Sequence, residues 1–205
     1  MPTLNTDRDW QGKYLSGDTP WDSGLPSREL QRVLAERQLA PGRALELGCG
    51  TGTNAIFLAR QGFHVTAVDC APLALERARS KAATAGVTID WHEADVQHFG
   101  AGFEPFDFIF DRGCYHCCRR VDLAGYLATL RNVTRPGTVY LSLSGNANEQ
   151  TEQGPPRVTE KEIRDELGSL FDVQQLRAFR FQDPGGVDGP LGWSCLMVRR
   201  DEDHT

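Results

Sequence analysis

The chain has 205 residues, enough for one domain with a sizeable core and short for two. Twenty-two Lys and Arg against 28 Asp and Glu give a formal net charge of −6, which argues against broad binding to nucleic acid or anionic lipid. No apolar run approaches the roughly 18 residues of a membrane span. The start, MPTLNTDRDW, lacks the apolar stretch of a signal peptide, and six cysteines are too few for a disulfide scaffold. Reduced thiols and a cytoplasmic location are therefore expected.

Trp10, Tyr14 and Trp21 lie within twelve residues without a regular period. They read either as a surface loop anchored by aromatic burial or as a lid over residues 1–25 that excludes water from a bound ligand. Ser27 then caps a helix carrying Leu30, Val33 and Leu34 on one face. Strands are expected over Ala44–Leu47, His64–Asp69, Val87–His92, Phe106–Asp111 and Thr138–Ser144. Helices fall between them. Asn54–Gln61 stops at Gly62, Pro72 opens a run to Ala85, and Leu123, Tyr126, Leu127 and Leu130 share a face ahead of Arg135-Pro136-Gly137. A polar loop over 145–157 precedes a capping box at Thr159–Glu162, whose helix ends at Gly168. The last strands, Phe171–Phe181 and Trp193–Arg199, are joined through Asp183–Gly192, where no helix fits, so they should pair antiparallel. The expected fold is α/β: a doubly wound, seven-stranded, mostly parallel sheet with a C-terminal antiparallel hairpin, as one domain over 1–205 with its core in 40–200.

The first strand runs into Glu46-Leu47-Gly48-Cys49-Gly50-Thr51-Gly52. Such a loop lets backbone N–H groups and a helix N-terminus approach a ligand at the carboxyl end of a parallel strand. Asp69 ends the second strand 21 residues after Gly48 and can accept both hydroxyl protons of a ribose. Its other role is to cap the Pro72 helix. Asp95 follows the third strand, where its carboxylate can accept from an adenine amino group while the Val96 N–H meets a ring nitrogen. Taken alone, Asp95 reads as a solvated loop residue.

Two nucleoside cofactors fit a ribose-binding acid. A dinucleotide fingerprint prefers Gly-x-Gly-x-x-Gly, whereas this loop is Gly-x-Gly-x-Gly. Glu46–Gly52 resembles the S-adenosylmethionine loop of class I methyltransferases, and Asp69 and Asp95 stand where that class has its ribose and adenine contacts. A nicotinamide oxidoreductase becomes the minor alternative. The implied cofactor is S-adenosyl-L-methionine, with Trp10, Trp21, Glu46, Gly48, Gly50, Thr51, Asp69, Cys70, Asp95, Val96 and Asp111 as candidate contacts.

The fourth strand leads into Asp111-Arg112-Gly113. As a bare pair, Asp-Arg reads as a structural ion pair. The lead-in Trp10-x3-Tyr14-x2-Gly17-x-Thr19, together with Phe106-Asp107-x-Ile109-x-Asp111-Arg112-Gly113, is similar to the thiopurine S-methyltransferases and their tellurite-resistance relatives. In that family the arginine lines the active site. Carried over, the resemblance marks Trp10, Asp69 and Arg112. The glycine loop departs from the thiopurine enzymes, and Pro20-Trp21-Asp22 is closer to halide and thiol methyltransferases.

Tyr14, Arg112 and His116 are the candidate catalytic residues. Cys114, Cys117 and Cys118 beside His116 invite a zinc site, but no second Cys or His pair stands at ligand spacing, so no metal is expected. The implied activity is methyl transfer to a small molecule, at a thiol sulfur. An oxygen or nitrogen acceptor, or a tellurite, selenite or arsenite substrate, is the alternative. No nucleic acid or membrane partner is expected, and the chain is read as a monomer or weak homodimer.

Overall fold

A computed structural model describes residues 9–151, 154–183 and 187–201. Residues 1–8 of the expected lid, 152–153 of the polar loop and 184–186 of the last connection lie outside the described residues. The elements run α1 Trp10–Ser16, α2 Arg28–Arg37, β1 Arg43–Leu47, α3 Thr53–Arg60, β2 His64–Asp69, α4 Pro72–Ala85, β3 Asp90–Glu93, β4 Phe108–Arg112, α5 Cys114–Val133, β5 Val139–Asn146, β6 Arg157–Val158, α6 Glu160–Leu167, β7 Phe171–Gln182 and β8 Asp188–Arg199. The sheet order is β3-β2-β1-β4-β5-β8-β7. β1 to β5 are parallel, and β8 is antiparallel to both β5 and β7. The expected parallel sheet with a closing antiparallel hairpin is the one observed.

Side chains alternate across the central strands, as the two-residue period of a strand requires. Leu45, Leu47 and Ile109 point to one face, where they meet Tyr126 and Leu130 of α5 and Ile163 and Leu167 of α6. Ala44, Phe108 and Phe110 point to the other face, among Leu30 and Val33 of α2, Leu58 of α3 and Leu75 of α4. Each fully buried Leu contributes about 1.5–3 kcal/mol, so both faces of the sheet are sealed by apolar contact. That leaves the carboxyl ends of the parallel strands as the open rim.

Several expectations shift. The third strand starts at Asp90 and not at Val87. Gly86 is left-handed, and the Val87 N–H returns to the Ala82 carbonyl, so these residues still close α4 before the ladder begins at the Thr66–Asp90 pair. α5 starts earlier than the Leu123 stripe. It bends at Asp122, whose carboxylate accepts from the Gly125 N–H at 2.9 Å and restarts the helix. The last connection is shorter than expected, because Asp188 already pairs with Gln182. The aromatic lead-in, read as a loop, forms α1, with Asp9 accepting from the Gly12 N–H at 2.7 Å and Gly17 closing it in the left-handed region. The two-residue strand β6 was not expected; it pairs in parallel with the last two residues of β5.

Candidate active site

β1 delivers the glycine loop to the open rim. Gly48, Gly50 and Gly52 all have positive φ (66°, 53° and 75°). Close approach adds a second requirement at two of them. A Cβ on Gly50 would sit 2.7 Å from the Tyr14 hydroxyl, and one on Gly52 would sit 2.6 Å from the Trp91 ring. β2 brings Asp69 beside this turn. Its carboxylate accepts from the Gly50 N–H at 2.8 Å and the Ala71 N–H at 2.9 Å. Asp69 is buried; desolvation raises its pKa and these N–H groups oppose the rise. Two carboxylate oxygens offer about four lone-pair sites, and the N–H groups of Gly50, Ala71 and Cys70 draw on three, so one remains for a ribose hydroxyl. Cys70, next in sequence, is exposed, and desolvation of its thiol raises its pKa to about 12.

Glu46, on β1, is 2% exposed. Its Oε1 accepts from Asn54 at 3.3 Å, while its Oε2 is buried without a hydrogen-bond partner. Desolvation pushes its pKa up to about 8. Asp95 is exposed and caps the short turn Val96–His98 through the Gln97 N–H at 2.9 Å; Val96 is buried beneath it.

The N-terminal segment lies across this loop. Tyr14 is buried with Ala71 and Ala74 at the start of α4, and Trp10 and Trp21 pack on the same cluster. The Trp21 indole N–H donates to the Tyr14 hydroxyl at 3.2 Å, and Trp10 meets Trp21 edge-on at 5.4 Å between centroids. Burial raises the Tyr14 pKa above the ordinary phenol value. Thr51 of the loop donates to Asp22 at 2.8 Å and accepts from Lys81 at 2.6 Å.

β4 ends in two residues with opposite fates. Asp111 is fully buried and accepts from the Cys114 N–H (2.8 Å), the Tyr115 N–H (3.1 Å) and the hydroxyls of Tyr140 and Ser142 (2.7 Å each). It caps the start of α5 inside the core, so its carboxylate oxygens are already engaged by these four donors. Arg112 faces the rim. Its guanidinium donates to the Trp21 carbonyl at 2.6 Å and the Gln182 carbonyl at 3.3 Å, and lies 5.1 Å from the Phe181 ring centroid. Among the described residues no carboxylate lies within ion-pair distance of it. Burial lowers its pKa, opposed by the charges of Asp22, Glu46 and Asp183, and a guanidinium stays charged through such a shift.

His116 is 4% exposed, and its Nδ1 accepts from the Gly145 N–H at 2.9 Å. Burial, and then the Arg112 charge, push its pKa down to about 3. The neutral ring therefore carries its proton on Nε2 and has no lone pair left to receive another. The Gly145 contact fixes α5 against β5 and occupies the ring nitrogen that could take up a proton. Cys114 and Cys118 lie 3.7 Å apart at sulfur, and among the described residues no group of three or more His, Cys, Asp or Glu side chains could hold a metal. Beyond Arg112 a cleft of about 270 Å³ opens between the residues leading into α2 and the β7–β8 hairpin.

Residues 44–137 match the family described as "Methyltransferase domain". A ubiquinone biosynthesis O-methyltransferase of Roseobacter denitrificans is 30% identical over 84% of this chain and 75% of its own length. The chain belongs to the class I S-adenosylmethionine-dependent methyltransferases. Within that class it is similar to a 2-heptyl-1-hydroxyquinolin-4(1H)-one methyltransferase of Mycobacteroides abscessus, 28% identical over 84% of this chain and 80% of that one. It is also similar to probable thiol methyltransferase 2 of Arabidopsis thaliana, 29% identical over 74% and 67%. Among solved structures, the 1,6-didemethyltoxoflavin-N1-methyltransferase of Burkholderia thailandensis, with its substrate and S-adenosylhomocysteine bound, shares the fold. That likeness has a TM-score of 0.70 at 21% identity and covers 93% of this chain and 85% of that one.

The methyltransferase uses S-adenosylmethionine, and the residues at the rim fit it. The orphaned Glu46 oxygen suits a cationic group, and Asp69 suits a ribose hydroxyl. The structure also adds residues that the sequence reading did not single out. Asp22 and Lys81 hold Thr51, Trp91 covers Gly52, and Gln182 anchors Arg112. Only Asp22 stood inside a quoted motif. The other three act through tertiary contacts that leave no local pattern. Among the described residues no helix is long and apolar enough to cross a membrane.

Proposed function

We propose that this methyltransferase acts on a thiol sulfur of a small molecule, as one domain over 1–205. The observation that carries the reading is Arg112, a guanidinium at the end of β4 held by two carbonyls and no described carboxylate. Bound S-adenosylmethionine supplies an electrophilic methyl group on a sulfonium. The chain supplies binding, orientation and charge. Asp69 holds the ribose, Asp95 and the Val96 N–H face the adenine, and Glu46 faces the cationic methionyl end. Trp10, Tyr14 and Trp21 cover the loop and exclude water.

Arg112 favours the anionic form of an acceptor beside it. A free thiol, with pKa near 8.5, is already about a few per cent thiolate at neutral pH. It needs a nearby positive charge more than a base. An alcohol needs a base, and His116 is pinned as an acceptor of the Gly145 N–H. The thiol methyltransferase likeness supports sulfur, and the likeness to a ubiquinone biosynthesis O-methyltransferase makes oxygen the competing outcome. A screen of acceptor classes that reads S-adenosylhomocysteine formation tests the proposal.

A further inference from the structure

The cleft beyond Arg112 has a charge opposite to that of the chain. Arg28, Arg112, Arg177 and Arg180 line it against Glu29 and Asp188, with Glu149 beside Arg180, four cations to three anions in a protein of net charge −6. Three of the four arginines are ion-paired at long range: Asp188 is 3.7 Å from Arg28, Glu29 is 3.7 Å from Arg177, and Glu149 is 3.8 Å from Arg180, which also donates to the Gly189 carbonyl at 3.1 Å. A guanidinium has five donors, so ion pairs at that range leave donors for a ligand.

The remaining wall is aromatic. Phe179 and Phe181 stack edge-on at 4.7 Å between centroids, and Arg112 covers the Phe181 ring. Gly192 on β8 makes room for them. A Cβ there would lie 2.5 Å from Phe179 and 2.7 Å from Phe181. Gln182 ties the cleft to the catalytic rim: its carbonyl accepts from Arg112, and its side-chain oxygen accepts from the Arg28 N–H at 3.1 Å. An acceptor filling the cleft beside Phe179 would lie between Arg112, tied to the rim through Gln182, and the more exposed Arg177 and Arg180.

We infer that this cleft is the acceptor site and that it selects a planar ring bearing an anionic substituent, such as a carboxylate, at the end remote from the methylated atom. The inference rests on Arg112 marking the reacting end, as proposed above, and does not depend on the acceptor atom being sulfur. The test is calorimetric binding to the full chain saturated with S-adenosylhomocysteine. The probes are 4-mercaptobenzoate, 4-hydroxybenzoate, the neutral methyl ester of 4-mercaptobenzoate and the saturated-ring acid cyclohexanecarboxylate.

Both aromatic acids should bind at least about tenfold more tightly than the ester or the saturated acid, the scale of one charge-assisted contact. Arg177→Met and Arg180→Met, both at exposed positions, should each remove most of that preference and leave S-adenosylhomocysteine affinity and melting temperature unchanged. Equal affinity for acid and ester, or a preference that survives both substitutions, would overturn the inference. Tight binding of both acids without methylation of the thiol would overturn the sulfur reading and leave the cleft assignment standing.

Discussion

The Arg112 guanidinium donates a 2.6 Å hydrogen bond to the Trp21 carbonyl, 91 residues earlier in the chain. That contact fastens the aromatic cover to the end of β4 and places a positive charge under it. Segment and charge are therefore coupled: moving the residues around Trp21 also releases the guanidinium from one of its two carbonyl partners.

Replacing Arg112 should damage chemistry more than folding. Arg112→Ala is expected to lower kcat/KM by about 10²–10⁴, the range for losing a positioned electrostatic group. Arg112→Lys should recover only part of this, because an ammonium cannot reach two carbonyls as a fork from over the Phe181 ring. Steady-state kinetics with melting curves for each variant will separate the two effects.

Asp69 should govern cofactor affinity. Removing its carboxylate in Asp69→Ala is expected to cost about 1.5–3 kcal/mol of S-adenosylhomocysteine binding, the scale of hydrogen bonds to a charged group. Part of that loss will come from the Gly50 N–H, which loses its partner. Calorimetric affinity unchanged from wild type would remove Asp69 from the cofactor site.

Glu46 should make cofactor binding pH-dependent. Its pKa is raised to about 8, so the folded protein holds a proton there through neutral pH. A cation arriving beside the orphaned oxygen favours the carboxylate, so binding should release a proton below about pH 8. Affinity should rise with pH from about 5 to 8 and then level off. Titration calorimetry in buffers of different ionisation enthalpy will read the released proton, and Glu46→Gln should abolish it.

His116 should shape stability in acid. Its pKa falls from the ordinary 6.5 to about 3 on folding, so between those values the unfolded chain binds the extra proton. Stability is therefore lost as pH falls from about 6.5 toward 3, by at most about 1.4 kcal/mol per pH unit from this group. His116→Gln keeps an acceptor for the Gly145 N–H without a titrating ring. The gap in melting temperature between wild type and variant should shrink as pH falls from 7 to 4.

The parts of the fold set by local pattern were readable before the structure. Alternating apolar strands, the Thr159 capping box, Pro72 and the glycine loop each carry their signal within a few neighbours. α1 was not readable as a helix, because Trp10 and Tyr14 share its face with Trp21, which comes from outside it. The start of β3 was misplaced because Val87 has the side chain of a strand residue while its N–H is spent on capping α4. At the site, Asp69 and Arg112 stand in recognisable motifs. Asp111 stands in the same motif, yet its carboxylate turns inward to Tyr140 and Ser142, and sequence carries no mark of which way a side chain at a strand's end will face. The arginine-lined cleft is assembled from α2 and β7, far apart in the chain, so no local pattern announces it.

The central claim, methyl transfer to sulfur, is tested most directly by an acceptor screen. Purified enzyme with S-adenosylmethionine would be offered matched thiols, phenols, amines and chalcogen oxyanions, with S-adenosylhomocysteine formation read for each. The account predicts turnover with thiols, fastest for planar aromatic ones, and at least about tenfold slower turnover with the matching phenols and amines. Efficient turnover of phenols, amines or oxyanions with none of any thiol would contradict the sulfur assignment.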